Sequence, residues 1–98
     1  MKIVWTQKAL SSYFIILDYL QAEWGAKVLQ DFIIKTEHIL NQILEYPKMH
    51  ESSEQFRNVR KAFLTKHNLL FYKIKPRKKE IELLIFWDTR QDSKLRKF

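Results

Sequence analysis

The chain contains a single glycine, Gly25, and it separates two stretches whose apolar residues recur at helical spacing. Steps of three and four residues between apolar side chains predict an amphipathic helix over residues 8–23 and another over residues 26–45. The first stripe consists of Leu10, Tyr13, Phe14, Leu17 and Leu20, and the second of Val28, Phe32, Ile39 and Ile43 with Leu29, Leu40 and Leu44 beside them. Glycine readily adopts the positive φ at which helices often end. The pattern therefore predicts an antiparallel helical hairpin.

The pattern changes after Pro47, which cannot continue the second helix. Residues 48–55 are polar and predict a loop. The runs rich in β-forming residues that follow are 56–64, 68–75 and 80–88, joined by turns at 65–68 and 76–79. A further short strand, "KIVW" at residues 2–5, precedes Thr6, whose hydroxyl is suited to cap the first helix.

The predicted order is β-α-α-β-β-β in a single domain over residues 1–98. Three strands with short turns predict an antiparallel meander, and the helical hairpin must bury its apolar stripe against one face of that sheet. The fold class is therefore α+β, with an antiparallel sheet, a two-helix hairpin on one face, and the first strand at a sheet edge.

The composition excludes several classes of function. With no cysteine there is no thiol nucleophile, disulfide or thiolate zinc site, and with one glycine there is no glycine-rich phosphate loop. The three histidines lack metal-ligand spacing. We therefore expect no metal and no cofactor. No apolar run reaches the roughly 18 residues that a membrane helix needs, so we expect no membrane association and a cytoplasmic location.

Charge is distributed unevenly along the chain, whose net charge is +7. Residues 1–56 contain five Lys and Arg against seven Asp and Glu, whereas residues 57–98 contain thirteen against four, which gives −2 and +9. A basic half indicates an anionic partner. The alternative is that the excess charge only keeps the protein soluble.

The basic side chains of the meander form the candidate contact surface. Its members are Arg57, Arg60 and Lys61 on the first meander strand, Lys66 and His67 in the turn, Lys73 and Lys75 on the second strand, and Arg90 after the third. Alternation puts Arg60 and Lys61 on opposite faces and Lys73 and Lys75 on a common face. Beside Tyr72 or Phe71 on the helix-free face, such residues suit a phosphate backbone and a stacked base. The alternative is that their long side chains only cover an apolar sheet face.

Metal-free RNA cleavage is a further hypothesis for the same residues. Arg60 and Arg90 would stabilise the charged transition state, and His67 or Tyr72 would accept the proton. At the end of the chain, Asp88 and Asp92 flank Arg90 and are suited to pair with it in a turn, and residues 93–98 predict a short tail, mobile or helical.

Three segments resemble the RelE/ParE superfamily of type II toxins, nearer the ParE-like branch. "VWTQKALSSYFIILDYLQAEWG" is similar to the opening strand and helix, "VRKAFLTKHNLLFYKI" to the paired strands, and "LLIFWDTRQDSKL" to the last strand with its following arginine. The resemblance implies a small toxin, of a kind linked to plasmid stabilisation, that is neutralised by a cognate antitoxin folding around it. Residues 93–98 would then be a contact for that antitoxin.

The superfamily inhibits growth in two ways. RelE-like members cleave mRNA in the ribosomal A site, and ParE-like members bind DNA gyrase and poison it. Arg60 and Arg90 match the arginines of the ribonuclease pattern, but Leu69 and Arg96 stand where an arginine and a tyrosine are expected, and Ser93 replaces a proline. Under the ParE-like interpretation the contacts are Arg60, Arg90 and the C-terminal segment.

We therefore expect a toxin that binds an essential target, with gyrase implied by the resemblance. The alternatives are a ribosome-dependent endoribonuclease and a non-toxic basic binding module with the same fold. A small acidic reading frame beside the gene favours a toxin.

Overall fold

A computed structural model describes residues 1–90. Its elements are, in chain order, β1 (Lys2–Trp5), α1 (Gln7–Trp24), α2 (Ala26–Glu45), β2 (Glu51–Ser52), β3 (Val59–Thr65), β4 (Asn68–Lys75) and β5 (Glu80–Asp88). The strands form one sheet in the order β1-β5-β4-β3-β2. The predicted α+β class, with a helical hairpin on one face and β1 at an edge, is confirmed.

The sheet is mixed, whereas the sequence predicted an antiparallel one. The strands from β2 to β5 pair antiparallel, but β1 lies parallel to β5 and pairs with residues 80–83. The prediction extended to β1 the reversal that short turns enforce in the meander. In the chain, β1 is separated from β5 by the hairpin and by β2 to β4, so no turn sets its direction. The predicted loop at 48–55 also contains β2, a two-residue strand paired with Arg60 and Lys61.

The helix boundaries follow from local chemistry. Thr6 caps α1, because its hydroxyl accepts a hydrogen bond from the Ala9 backbone N–H at 3.0 Å. Gly25, at φ +86°, ends α1 and starts α2. The predicted stripe of α1 was partly wrong, since Leu10 and Phe14 are exposed. The stripe that packs inward begins with the fully buried Ala9, too small to stand out in a count of large apolar residues, and continues through Tyr13, Ile16, Leu17 and Leu20.

Apolar clusters lie on both faces of the sheet. The inner face, under the helices, holds Ala62, Leu64, Leu70, Tyr72, Ile81, Leu83 and Phe86, which pack with Ala9, Phe32, Ile39 and Ile43. The outer face, away from the helices, holds Val59, Leu69, Phe71, Leu84, Ile85 and Trp87, with Phe56 against them. A bulge at Leu84 and Ile85 turns both side chains outward and returns Phe86 to the inner face.

The start of β3 differs from the prediction. The strand begins at Val59 instead of residue 56, so Arg57 lies in the turn before it. Asn58 has φ +62°, a conformation that asparagine tolerates better than most residues and that belongs to a turn. Asp92 and the predicted tail at 93–98 lie outside the described residues.

Candidate functional site

The predicted basic residues lie in three separate places: the inner side at the start of β3, the outer face of the sheet, and the turns at the opposite end of β4. Arg60 is opposite Tyr72 near the start of β3, whereas Arg90 follows Asp88, which is opposite Asn68 at the other end of β4. Four residues of strand between Tyr72 and Asn68 correspond to about 13 Å. The predicted alternation of Arg60 and Lys61 holds, so Arg60 is also on the inner side, away from the lysines.

Arg60 is bound to the chain that follows α2. Its Nη1 donates to the carbonyl oxygen of His50 at 2.7 Å and to that of Lys48 at 3.2 Å. A hydrogen bond from a charged donor is stronger than one from a neutral donor, so the guanidinium stabilises these two turn carbonyls effectively. The guanidinium is thus occupied in joining β3 to residues 48–50.

Tyr72 completes this connection from β4. Its side chain has no exposed surface, and its hydroxyl donates to the carbonyl oxygen of Pro47 at 2.7 Å. Burial raises the pKa of Tyr72 to about 12, although the charge of Arg60 acts in the opposite direction. Phe71, the other aromatic residue predicted to stack a base, is 1% exposed on the outer face. Neither ring is available for stacking, and that prediction was wrong.

His50 packs edge-on against the ring of Tyr72, with centroids 6.2 Å apart. Its Nε2 is buried and has no hydrogen-bond partner among residues 1–90. Burial lowers the pKa of His50, because the charged imidazolium would lose its hydration there. We refer to Arg60, Tyr72 and His50 together as the Arg60 cluster.

The outer face carries the lysines that the sequence placed there. Lys61 is 3.2 Å from a carboxylate oxygen of Glu51, and Lys75 is 3.0 Å from one of Glu82. Lys73 lies between β3 and β5, opposite Val59 and Glu82. With Lys8 and Arg57 it borders a depression of about 410 Å³ whose floor includes Phe56 and Leu84. The outer face therefore combines the predicted charge with an apolar floor.

Arg90 lies in the turn after β5 and is bound to its neighbour Asp88. Its Nε and Nη2 donate to the two carboxylate oxygens at 2.9 and 2.7 Å, and its backbone N–H donates to one of them at 2.8 Å. These bonds lower the pKa of Asp88 and raise that of Arg90. The Thr89 N–H donates to the His67 carbonyl at 2.8 Å, which fixes this turn against the one at 65–68. The predicted pairing with Asp88 is observed, but Arg90 does not lie on the lysine face.

Residues proposed for RNA cleavage do not converge. Arg60 and Tyr72 belong to one end of the sheet, and His67 and Arg90 to the other. The phenol of Tyr72 is also a poor proton acceptor, since it is buried, hydrogen-bonded as a donor, and has a pKa of about 12. No group of three or more potential metal ligands occurs within residues 1–90. In the same range, neither helix is apolar enough over a sufficient length to cross a membrane.

A groove between α1 and β5 was missed by the sequence analysis. The part of it beside β5 has a volume of about 370 Å³ and is lined from α1 by Ser12, Ile15, Ile16, Tyr19 and Leu20 and from β5 by residues 85–88. Ile15 is 69% exposed and Tyr19 49% exposed. The available signal was that Ile15 and Tyr19 lie one helical turn apart, off the predicted inward stripe.

Comparison with known proteins shows what this fold is. The family model for "ParE toxin of type II toxin-antitoxin system, parDE" matches residues 3–93. No curated protein matches the chain significantly. A chain of the chromosomal ParDE toxin–antitoxin system from P. aeruginosa is 19% identical, with a TM-score of 0.65 over 90% of this chain and 95% of that one. A YoeB/ParE toxin from Agrobacterium tumefaciens is 13% identical, with a TM-score of 0.66 over 90% and 98%. These two likenesses concern the fold, whereas the family model spans nearly the whole sequence, and the chain belongs to the ParE toxin family of type II toxin–antitoxin systems.

Proposed function

We propose that this protein acts in the cytoplasm as a growth-inhibiting toxin that binds an essential target, for which the family implies DNA gyrase, and that a cognate antitoxin neutralises it. The observation behind the proposal is the family match over residues 3–93. Action by binding is favoured over RNA cleavage because the candidate catalytic residues lie at opposite ends of the sheet and Tyr72 is sealed from solvent.

The outer face is our candidate for the target contact, through Lys61, Lys73 and Lys75. Lys61 and Lys75 form ion pairs on a partly solvated surface, and such pairs contribute only about 0–1 kcal/mol, so a partner can replace them at little cost. The apolar floor beside Lys73 adds area that a protein partner would bury. Arg60 supports this region from the inner side, and Arg90 belongs to a different surface.

The experiment is to induce the protein without its antitoxin and to follow DNA, RNA and protein synthesis by pulse labelling. We expect DNA synthesis to stop first, and purified protein to trap gyrase on cleaved DNA. Early loss of translation with cut mRNA would support the endoribonuclease instead, and the absence of any arrest would support a non-toxic binding module.

A matched pair of triple variants tests the contact surface. Lys61→Ala, Lys73→Ala and Lys75→Ala together should relieve the growth arrest. Lys27→Ala, Lys35→Ala and Lys48→Ala remove the same charge from other elements and should leave toxicity intact. Equal toxicity of the two triple variants at equal protein levels would contradict the assignment of the outer face.

A further inference from the structure

A depression of about 590 Å³ lies at the end of the sheet where α2 ends and the turn between β4 and β5 begins. Its walls come from two segments that are far apart in the chain, residues 45–49 and residues 74–76, together with Met1. We refer to it as the Met49 depression. Most of its lining is apolar and consists of Met1, Tyr46, Pro47, Met49, Ile74 and Pro76.

Several of these apolar side chains are largely exposed. Tyr46 is 60% exposed, and Met1 and Met49 are each 53% exposed. The sequence contains two methionines, and both lie here. Methionine is unbranched and polarisable, so it adapts to the shape of a partner, and tyrosine presents a rigid ring with a polar end. A cluster of such side chains at the surface is typical of a protein-binding site.

One wall of the Met49 depression is held in place by the Arg60 cluster. Tyr72 donates to the Pro47 carbonyl at 2.7 Å, and Arg60 donates to the two carbonyls on either side of Met49. The Met49 N–H donates to the Tyr46 carbonyl at 3.1 Å. The backbone behind the exposed side chains is therefore fixed before a partner arrives. A preformed site loses less conformational entropy on binding than an unsupported loop does.

The turn between β4 and β5 brings positive charge to one side of the depression. Arg77, Lys78 and Lys79 are exposed and form no ion pair within residues 1–90. The two charged residues of the lining, Glu45 and Lys48, offset each other. The turn therefore sets the sign of the local field, which attracts an acidic partner. A second copy of this chain would bring the same cations to the contact, and their repulsion would oppose it.

The depression also continues the outer face that we propose for the target. Lys73 and Lys75 lie on β4, and the chain then passes through Pro76, at the border of the depression, into the basic turn. Ile74, between the two lysines, packs against the inner cluster and lines the depression. One protein can therefore contact both surfaces by reaching around this end of β4.

We propose that the Met49 depression binds an acidic segment of the target, with an apolar side chain of that segment against Tyr46, Met49 and Ile74 and its carboxylates towards the basic turn. The inference rests on the proposed function, because it takes the partner to be the target, for which the family implies gyrase. It adds a second contact to the one assigned to the outer face, and it states the chemistry of the segment that makes this contact.

The test measures the affinity of the purified toxin, separated from its antitoxin, for purified gyrase by biolayer interferometry. Met49→Asp removes the apolar anchor and sets a negative charge against the acidic segment, so it should weaken binding by about tenfold or more. Ile34→Asp is the matched control, because Ile34 is 56% exposed on α2 and does not line the depression. The control should weaken binding by less than about twofold.

The double variant Arg77→Glu with Lys78→Glu tests the charge and leaves the apolar wall unaltered. It should also weaken binding by about tenfold, and the remaining affinity should depend less on salt than that of the wild type. Lys27→Glu with Lys35→Glu makes the same change of charge on α2 and should have less than about a twofold effect. All four side chains are exposed, and thermal melts followed by circular dichroism verify that each variant is folded.

Hydrogen exchange of the wild-type toxin with gyrase is a further readout and should show protection at residues 46–49 and 74–79. Folded depression variants that bind gyrase as tightly as their controls would overturn the inference and leave the toxin assignment intact. If the wild type did not bind gyrase, the proposed target would be refuted, and the inference with it. The same variants are tested against the antitoxin and against duplex DNA alone. A loss of affinity for either, with gyrase binding unchanged, would assign the depression to that partner and overturn our proposal.

Discussion

Arg60 and Arg90 were predicted from the same reasoning, yet their surroundings differ in kind. Arg60 donates to two backbone carbonyls that belong to residues 10 and 12 positions earlier in the chain. Arg90 donates to a carboxylate two residues away. The first set of bonds joins distant parts of the fold, whereas the second can form within a short peptide. The position of an arginine after or within a strand therefore does not reveal whether it holds the fold or faces a partner.

The largest expected effect is that of Arg60→Ala. Hydrogen bonds from a charged donor each contribute about 1.5–3 kcal/mol, and part of that is recovered from water because the Lys48 carbonyl is exposed, so we expect the free energy of unfolding to fall by about 2 kcal/mol. Urea denaturation measures it. Arg57→Ala, in the exposed turn before β3, is the matched control and should change stability by less than about 0.5 kcal/mol. If Arg60→Ala lowered the free energy of unfolding by less than about 0.5 kcal/mol, the Arg60 cluster would not stabilise the fold.

Tyr72→Phe should have a smaller effect in the same direction. It removes only the hydroxyl that donates to the Pro47 carbonyl, and a neutral hydrogen bond contributes about 1 kcal/mol. Tyr46→Phe, at a site 60% exposed, is the control and should be neutral. If the two variants had equal stability in urea, the hydrogen bond to Pro47 would be of no consequence for the fold.

His50 adds a pH dependence to the Arg60 cluster. Because burial lowers its pKa in the folded state, the unfolded chain binds the proton more readily. Its contribution to stability is complete above the unfolded pKa of about 6.5 and is lost as the pH falls through the folded value. Tyr72 packs against it and, with a pKa of about 12, keeps its proton in this range. Urea midpoints from pH 8 to pH 5 should decline less steeply for His50→Gln than for wild type, and parallel profiles would contradict this account.

Arg90→Ala should have the smallest effect on stability. Its guanidinium is exposed and bound chiefly to a neighbour in the same turn, and its further interaction with Tyr19 on α1 lies at the surface, so its loss breaks no buried contact. We expect the thermal midpoint to stay within experimental error of wild type. A destabilisation comparable to that of Arg60→Ala would remove the contrast between the two arginines and would show that the turn after β5 is part of the core.

Much of this fold could be predicted because its signals are local. The cap at Thr6, the stop at Gly25 and the turns at 65–68 and 76–79 depend on residues that are neighbours in sequence. Other features of the fold depend on contacts between residues that are far apart in the chain. The inward direction of α1 is set by where β5 lies, so Leu10 and Phe14 were misjudged, and the bulge at Leu84 is visible only once β4 is placed beside β5.

The candidate site likewise has some features that local sequence predicts and others that depend on distant contacts. Alternation correctly separated Arg60 from Lys61 and grouped Lys73 with Lys75, since side-chain direction along a strand is a local property. It gave no means of knowing that Tyr72 reaches Pro47, that Arg60 reaches His50, or that the short β1 leaves a groove beside α1.

The sequence by itself determined the class of fold, the helical hairpin, the meander and the basic second half, because periodicity, capping and charge depend on residues that are neighbours in the chain. The tertiary structure decided the parallel pairing of β1, the separation of Arg60 from Arg90, and the groove along α1. Each of these depends on contacts between residues far apart in the chain, and no local pattern records which distant backbone or side chain a residue will meet.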